Sequence, residues 1–196
     1  MLREAGEVLE CDFGGSFVRL VRQADHSAAR LVNLLVEYFP CFRDESNFYE
    51  KRVRFYKRAQ ILVADLWACF NGEGWGQFDD IYELTIFADY RIPQMLNSMG
   101  CLMYSPSLES RIRRLHNIEN GENCEIELRG NSIWCVELIR RQIEAQYPEA
   151  KGKVNAVLID FFLYDLCKER EREVEQAEMD VDNEMLPHHR TRSIWY

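Results

Sequence analysis

The sequence has no long apolar run, no paired cysteine motif and no surplus of basic residues. Nothing in its 196 residues approaches the ~18–20 uninterrupted apolar residues of a membrane span, and the longest candidate, Val154 to Cys167, is broken by Asp160 and Asp165. Met1 to Glu7 carries no basic stretch followed by an apolar one, so no secretory signal is expected and the chain is expected to be soluble and cytoplasmic. The 7 cysteines are odd in number, scattered and without a Cys-x-x-Cys pair, which argues against a disulfide framework and a zinc site. His26, His116, His188 and His189 lack the spacing of a metal motif, so no metal and no cofactor are expected. There is no Gly-x-Ser-x-Gly elbow to mark a serine nucleophile. With 24 Lys and Arg against 33 Asp and Glu, the net charge of -9 repels phosphate backbones, so direct nucleic-acid binding is not expected.

What is present is mostly helical period. Apolar residues from Ser16 to Phe39 recur at helical steps, predicting one long helix or two joined near Asp25-His26-Ser27, with Pro40 as the stop. Lys51 to Phe70 reads as a second helix, closed by the glycine-rich run Asn71 to Gly76. That run lacks the Lys-Ser/Thr ending of a phosphate loop and follows no predicted strand. Asp79 to Phe87 is expected to be a short helix, and Asp89 to Gln94 to open another with Pro93 in its first turn. Leu108 to Leu115 is short, basic and amphipathic, while Glu125 to Arg129 alternates and is either a strand or a helix start. A helix capped at Asn131 or Ser132 should run to Gln146, and a last one from Val154 to about Ala177 should be buried in its first half and solvated in its second. The fold expected is an all-α helical bundle with at most one short strand pair, in a single domain over residues 1–196.

The most informative chemistry lies in Val154 to Cys167. By helical spacing Leu158, Phe161, Phe162 and Asp165 share one stripe, which sets Asp165 in an apolar face. Asp160 lies about 140° round the same helix, with Val157, Tyr164 and Cys167. A buried carboxylate needs hydrogen bonds, a cation or a proton, so each acid is either paired with a neighbouring Arg or Lys or part of a ligand pocket. A second cluster, Leu84 to Gln94, brings Phe87, Asp89, Tyr90 and Arg91 to a helix junction, and is either a binding point or a local Asp89 cap on backbone amides with Tyr90 and Phe87 in the core. Lys51 to Arg58 mixes cations and aromatics, and is either a phosphate contact or a solvated helix face.

Several strings resemble the queuosine salvage family, whose members are queuosine 5'-phosphate N-glycosylases. They are Ser27-Ala28-Ala29-Arg30-Leu31-Val32, Phe39 to Asp44, Tyr56 to Trp67, Leu84 to Gln94, Ser132 to Ile139, Val154 to Asp165 and His188-His189-Arg190, in family order. The resemblance implies an all-helical fold similar to helix-hairpin-helix DNA glycosylases. It also implies cleavage of queuosine 5'-monophosphate to release queuine for tRNA modification, without metal or cofactor. Phe87, Asp89 and Tyr90 would then contact base or ribose, Asp160 would hold the base, Tyr164 would stack on it, and Asp165 would be the catalytic carboxylate. Lys57, Arg58 or Arg91 would hold the 5'-phosphate. Family chains are considerably longer, and the region preceding the matched part also helps form the queuine pocket and contributes a His. A catalytically incomplete chain that binds queuine or a partner is therefore the alternative expectation. A DNA-repair role is disfavoured by the acidic balance.

Overall fold

The computed structural model describes residues 2–176 and 185–196. Ala177 and the acidic run Asp180 to Glu184 lie outside the described residues. Helices α1 (Leu2–Phe13), α2 (Phe17–Gln23) and α3 (Ala28–Tyr38) lead into a hairpin of β1 (Glu45–Phe48) and β2 (Lys51–Arg54). Then come α4 (Lys57–Cys69), α5 (Arg91–Ser98), α6 (Pro106–Arg113), α7 (Asn123–Gln146) and α8 (Ala156–Gln176). Among the described residues the fold is all-α with one short strand pair.

The expected joint in the first helical stretch is present. Asp25 and His26 adopt positive φ of 50° and 59°, a left-handed geometry that ends α2. Ser27 restarts the helix, its hydroxyl accepting from the Arg30 amide at 3.0 Å.

Three local expectations are corrected and one is resolved. The strand pair forms at residues 45–54, and of the two readings of Glu125 to Arg129 the helix start holds, since it lies in the opening turns of α7. Its two-residue loop is Tyr49-Glu50, with Tyr49 at φ 51°, in place of the Asn-Gly or Gly-X signal that marks such turns. The helix expected from Lys51 begins only at Lys57, because Lys51–Arg54 are in the ladder and Tyr56 is left-handed at φ 50°. The Asp79–Phe87 helix is a single 3-10 turn at Ile81–Glu83, after which Leu84 to Ala88 are non-helical. Thr85 is held there by side-chain bonds, its amide donating to Gln60 Oε1 at 2.8 Å. Ser132 caps nothing, since α7 is continuous through it and its hydroxyl donates to the Leu128 carbonyl at 2.7 Å.

Two apolar clusters carry most of the core. One gathers Leu20, Leu31, Leu35, Val63, Phe87 and Val157 from α2, α3, α4, α8 and the loop before α5. The other gathers Ile86, Met95, Leu96, Val136, Leu163 and Cys167 from α5, α7, α8 and the same loop. Ile86 and Phe87 are consecutive yet sit in different clusters, and α8 likewise sends Val157 into one and Leu163 into the other. The Leu84–Ala88 segment and α8 therefore meet at the seam between the two cores.

Candidate functional site

Asp160 projects from α8 into that seam and is buried. Its Oδ1 accepts the Phe87 amide at 2.9 Å. Burial pushes its carboxyl up to about 7; the Phe87 bond and Lys57 oppose the rise, and the charge of Asp89 adds to it. Near neutral pH Asp160 thus exchanges a proton readily, and it can offer either a donor or an acceptor to a polar ligand edge.

Asp89 lies at the N-terminal end of α5, where helical amides have no internal partner. Its Oδ1 accepts from the Arg91 and Ile92 amides at 2.8 and 3.2 Å, and the third position is Pro93, which has no amide to satisfy. The other oxygen, Oδ2, lies 4.0 Å from the Lys57 ammonium. Lys57 is itself buried, and desolvation lowers its pKa while Asp89 resists that shift. Phe87, also buried, tilts against Phe161 with ring centroids 6.2 Å apart. Tyr90 lies against His188 at 4.7 Å and stacks on Tyr196 at 6.4 Å. Phe87, Asp89, Tyr90 and Asp160 are thereby brought together around Lys57.

Tyr164 and Asp165 are placed differently from expectation. Asp165 is exposed, on the same outward face of α8 as Leu158 and Phe162, the latter 63% exposed. The face turned inward is Val157, Ile159, Asp160, Leu163 and Cys167. Apolar residues occupy both sides of α8, so spacing alone could not choose the buried one. Tyr164 is exposed and ties to the cluster through Arg91, whose guanidinium lies over the Tyr164 and Tyr90 rings at 5.7 and 5.6 Å. Arg91 also bonds Glu171 at 2.5 Å.

Behind the cluster is a polar core that the motif reading missed. Arg129 is fully buried and donates to both oxygens of Asp44, to Glu125 Oε1 at 3.4 Å and to the Ala88 carbonyl at 3.0 Å. Its guanidinium also covers the Phe55 ring at 3.9 Å. Glu125 in turn accepts the Tyr196 hydroxyl at 2.6 Å, which fastens the C-terminal segment. Asp44 Oδ2 accepts the Lys57 amide at 3.2 Å, setting the start of α4. One guanidinium thus fixes the carbonyl just before Asp89 and, through Asp44, the helix that carries Lys57. The signal available was the i,i+4 pair Glu125 and Arg129, visible once Glu125–Arg129 is read as helix.

A family model described as queuosine salvage protein matches residues 1–196. The chain belongs to the queuosine salvage protein family. Relatives named queuosine 5'-phosphate N-glycosylase/hydrolase include those of Mus musculus, 43% identical over 199 residues, and Schizosaccharomyces pombe, 43% over 196. The Sphaerobacter thermophilus relative is 41% identical over 196 residues. Each match takes in 100% of this chain but only 55–56% of the relative, so the chain spans little more than half the length of the curated proteins it matches. In this member of the queuosine salvage protein family the strings that carried the resemblance converge in space: Leu84 to Gln94 supplies Phe87, Asp89 and Tyr90, Val154 to Asp165 supplies Asp160, and Tyr56 to Trp67 supplies Lys57.

Proposed function

We propose that this chain forms a single glycosylase-like domain carrying the nucleoside site of a queuosine 5'-phosphate N-glycosylase. The reaction is hydrolysis: the ribosyl C–N bond breaks, water adds to the anomeric carbon, and queuine and ribose 5-phosphate are the products. The observation that carries the reading is Asp160, a buried carboxyl raised to about 7, anchored on the Phe87 amide and set beside Asp89 and Lys57. It fits a flat heterocycle that presents donors and acceptors on one edge.

The chemistry accounts for the residue types. A 7-deazaguanine carries carbon where a purine glycosidase protonates ring nitrogen, so departure of the base must be assisted at its other edges. Asp160, with a proton that exchanges near pH 7, is suited to that edge. Asp89 would share its Oδ2 between Lys57, at 4.0 Å, and the amine of the queuine side arm. Phe87, Tyr90 and Tyr164 offer faces for stacking, worth about 1–3 kcal/mol per base. Asp165, five residues beyond Asp160 on α8, is assigned to the anomeric carbon, where a carboxylate stabilises an oxocarbenium-like transition state or bonds to it. Released queuine would feed tRNA modification, so a cytoplasmic location accompanies the reading.

The test is incubation of the chain with queuosine 5'-monophosphate and detection of queuine by mass spectrometry. Queuine and ribose 5-phosphate should form in equal amounts, and Asp165→Ala should abolish release while the helical circular dichroism is kept. Unchanged turnover in Asp165→Ala would overturn its assignment. The exposure of Asp165 favours one second reading, in which the chain binds queuine without turning over the nucleotide. Queuine binding without release by wild type would select it.

A further inference from the structure

Three cations were expected to hold the 5'-phosphate, and all three have partners within the fold: Arg58 donates to the Ile194 carbonyl at 3.5 Å and lies over the Phe42 ring. Arg91 is paired with Glu171, and Lys57 is buried with its ammonium 4.0 Å from Asp89. A different cationic surface adjoins the cluster on the Tyr90 side. A groove of about 470 Å³ runs between Tyr90, Asn117 and the segment His188 to Ser193. Among the described residues nine line it and none of these is acidic, on a chain whose net charge is -9.

We infer that this groove is the subsite for the phosphate of the nucleotide, with Arg190, Arg192 and Thr191 as its contacts; the inference rests on the function proposed above. Both arginines are exposed, and among the described residues neither guanidinium has a carboxylate partner. Thr191 adds a buried hydroxyl whose Oγ1 has no hydrogen-bond partner among the described residues. A hydroxyl donor beside two planar, permanently charged forks is chemistry that suits a phosphate dianion.

The segment is also held in place before any ligand arrives. The Arg190 carbonyl accepts the Ile118 amide at 2.8 Å, in a parallel bridge between Asn117 and Arg190. His189 is buried between its exposed neighbours and meets the Tyr196 ring edge-on at 5.6 Å. Tyr90 joins the two halves of the site: it follows Asp89 in the chain and packs against His188. A nucleotide with its base edge at Asp160 would pass its sugar across Asp89 and Tyr90 and reach the groove with its phosphate.

The experiment is calorimetric titration of the chain with queuosine 5'-monophosphate, queuosine, ribose 5-phosphate and inorganic phosphate. It is run on Asp165→Ala, so that the nucleotide is not consumed, and on the same chain carrying Arg190→Gln/Arg192→Gln or Thr191→Val. Asp165→Ala alone should bind the monophosphate about ten-fold or more tighter than the nucleoside, since charged hydrogen bonds are the difference between them. The chain with both arginines replaced should lose that ratio while keeping its affinity for queuosine, and Thr191→Val should reduce it partly. A ratio unchanged with both arginines replaced overturns the subsite and leaves the nucleoside reading standing. Arginine-dependent binding of ribose 5-phosphate without any binding of queuosine overturns the nucleoside reading and leaves the subsite. Binding of inorganic phosphate as tight as that of ribose 5-phosphate identifies a free-anion site and also overturns the assignment.

Discussion

Arg129 on α7 holds Asp44 through two parallel bonds, at 2.9 and 2.5 Å, with both side chains removed from solvent. Two charges so deeply placed are tolerable because every direction is answered: Glu125 and the Ala88 carbonyl take further guanidinium protons, and Asp44 also accepts the Lys57 amide. The pair joins the β-hairpin approach, α4, α7 and the loop that carries Phe87 and Asp89.

Removing one partner of such a pair strands the other. Arg129→Met should destabilise the chain by about 3–5 kcal/mol, since Asp44 and Glu125 are left buried without their cation. Urea denaturation followed by circular dichroism measures it. Arg129→Lys should recover only part of the loss, because an ammonium cannot span Asp44 and the Ala88 carbonyl together. Full recovery with Lys would show that charge alone matters.

Asp160 makes stability fall as pH rises. Its carboxyl titrates near 4 in an unfolded chain and at about 7 in the fold, so the folded chain retains a proton that the unfolded chain releases. Its contribution is complete below about pH 4 and is lost as pH rises through about 7. Asp160→Asn keeps an acceptor for the Phe87 amide and removes the titration. Urea midpoints from about pH 5 to 8 should show the variant gaining on wild type with rising pH. A constant difference would mean that Asp160 stays ionised throughout.

His189 has the opposite sign. Burial, with the charges of His188 and Arg129, lowers it to about 4 from an ordinary 6.5, so the fold holds it neutral where the unfolded chain takes up a proton. Its stability is present above about pH 6.5 and is lost as pH falls through about 4. His189→Gln should therefore resist acid unfolding better than wild type over that window. Because Asp160 and His189 oppose each other there, only the single variants expose each slope. Equal acid sensitivity of variant and wild type would sink the assignment.

Asp80 staples a distant loop to the start of α3. Its carboxylate accepts from the Ser27 hydroxyl at 2.6 Å and from the Ala28 and Ala29 amides at 2.5 and 3.4 Å, satisfying helix donors that have no internal partner. Asp80→Ala should cost about 1–2 kcal/mol, the scale of losing a helix cap. The thermal midpoint should fall while binding of queuine is retained, since Phe87 and Asp160 are held by other contacts. Loss of binding at retained helicity would connect this staple to the site.

Helical period and stop signals were enough to read α3, α5 and the body of α8 from the chain alone, because apolar spacing and proline geometry act within a few residues. The same local rules placed Asp160 among apolar neighbours and flagged Phe87, Asp89 and Tyr90 at a helix junction. They failed where a turn used unexpected residues, as at Tyr49-Glu50, and where a helix was apolar all round, as in α8. Which side of α8 is buried depends on where the two cores meet, and that turns Asp160 inward and leaves Asp165 outside. The cage of Arg129, Asp44 and Glu125 and the groove of Arg190 and Arg192 join residues far apart in the chain. Only tertiary structure decided them, because desolvation and charge pairing depend on distance in space, which no spacing along the sequence encodes.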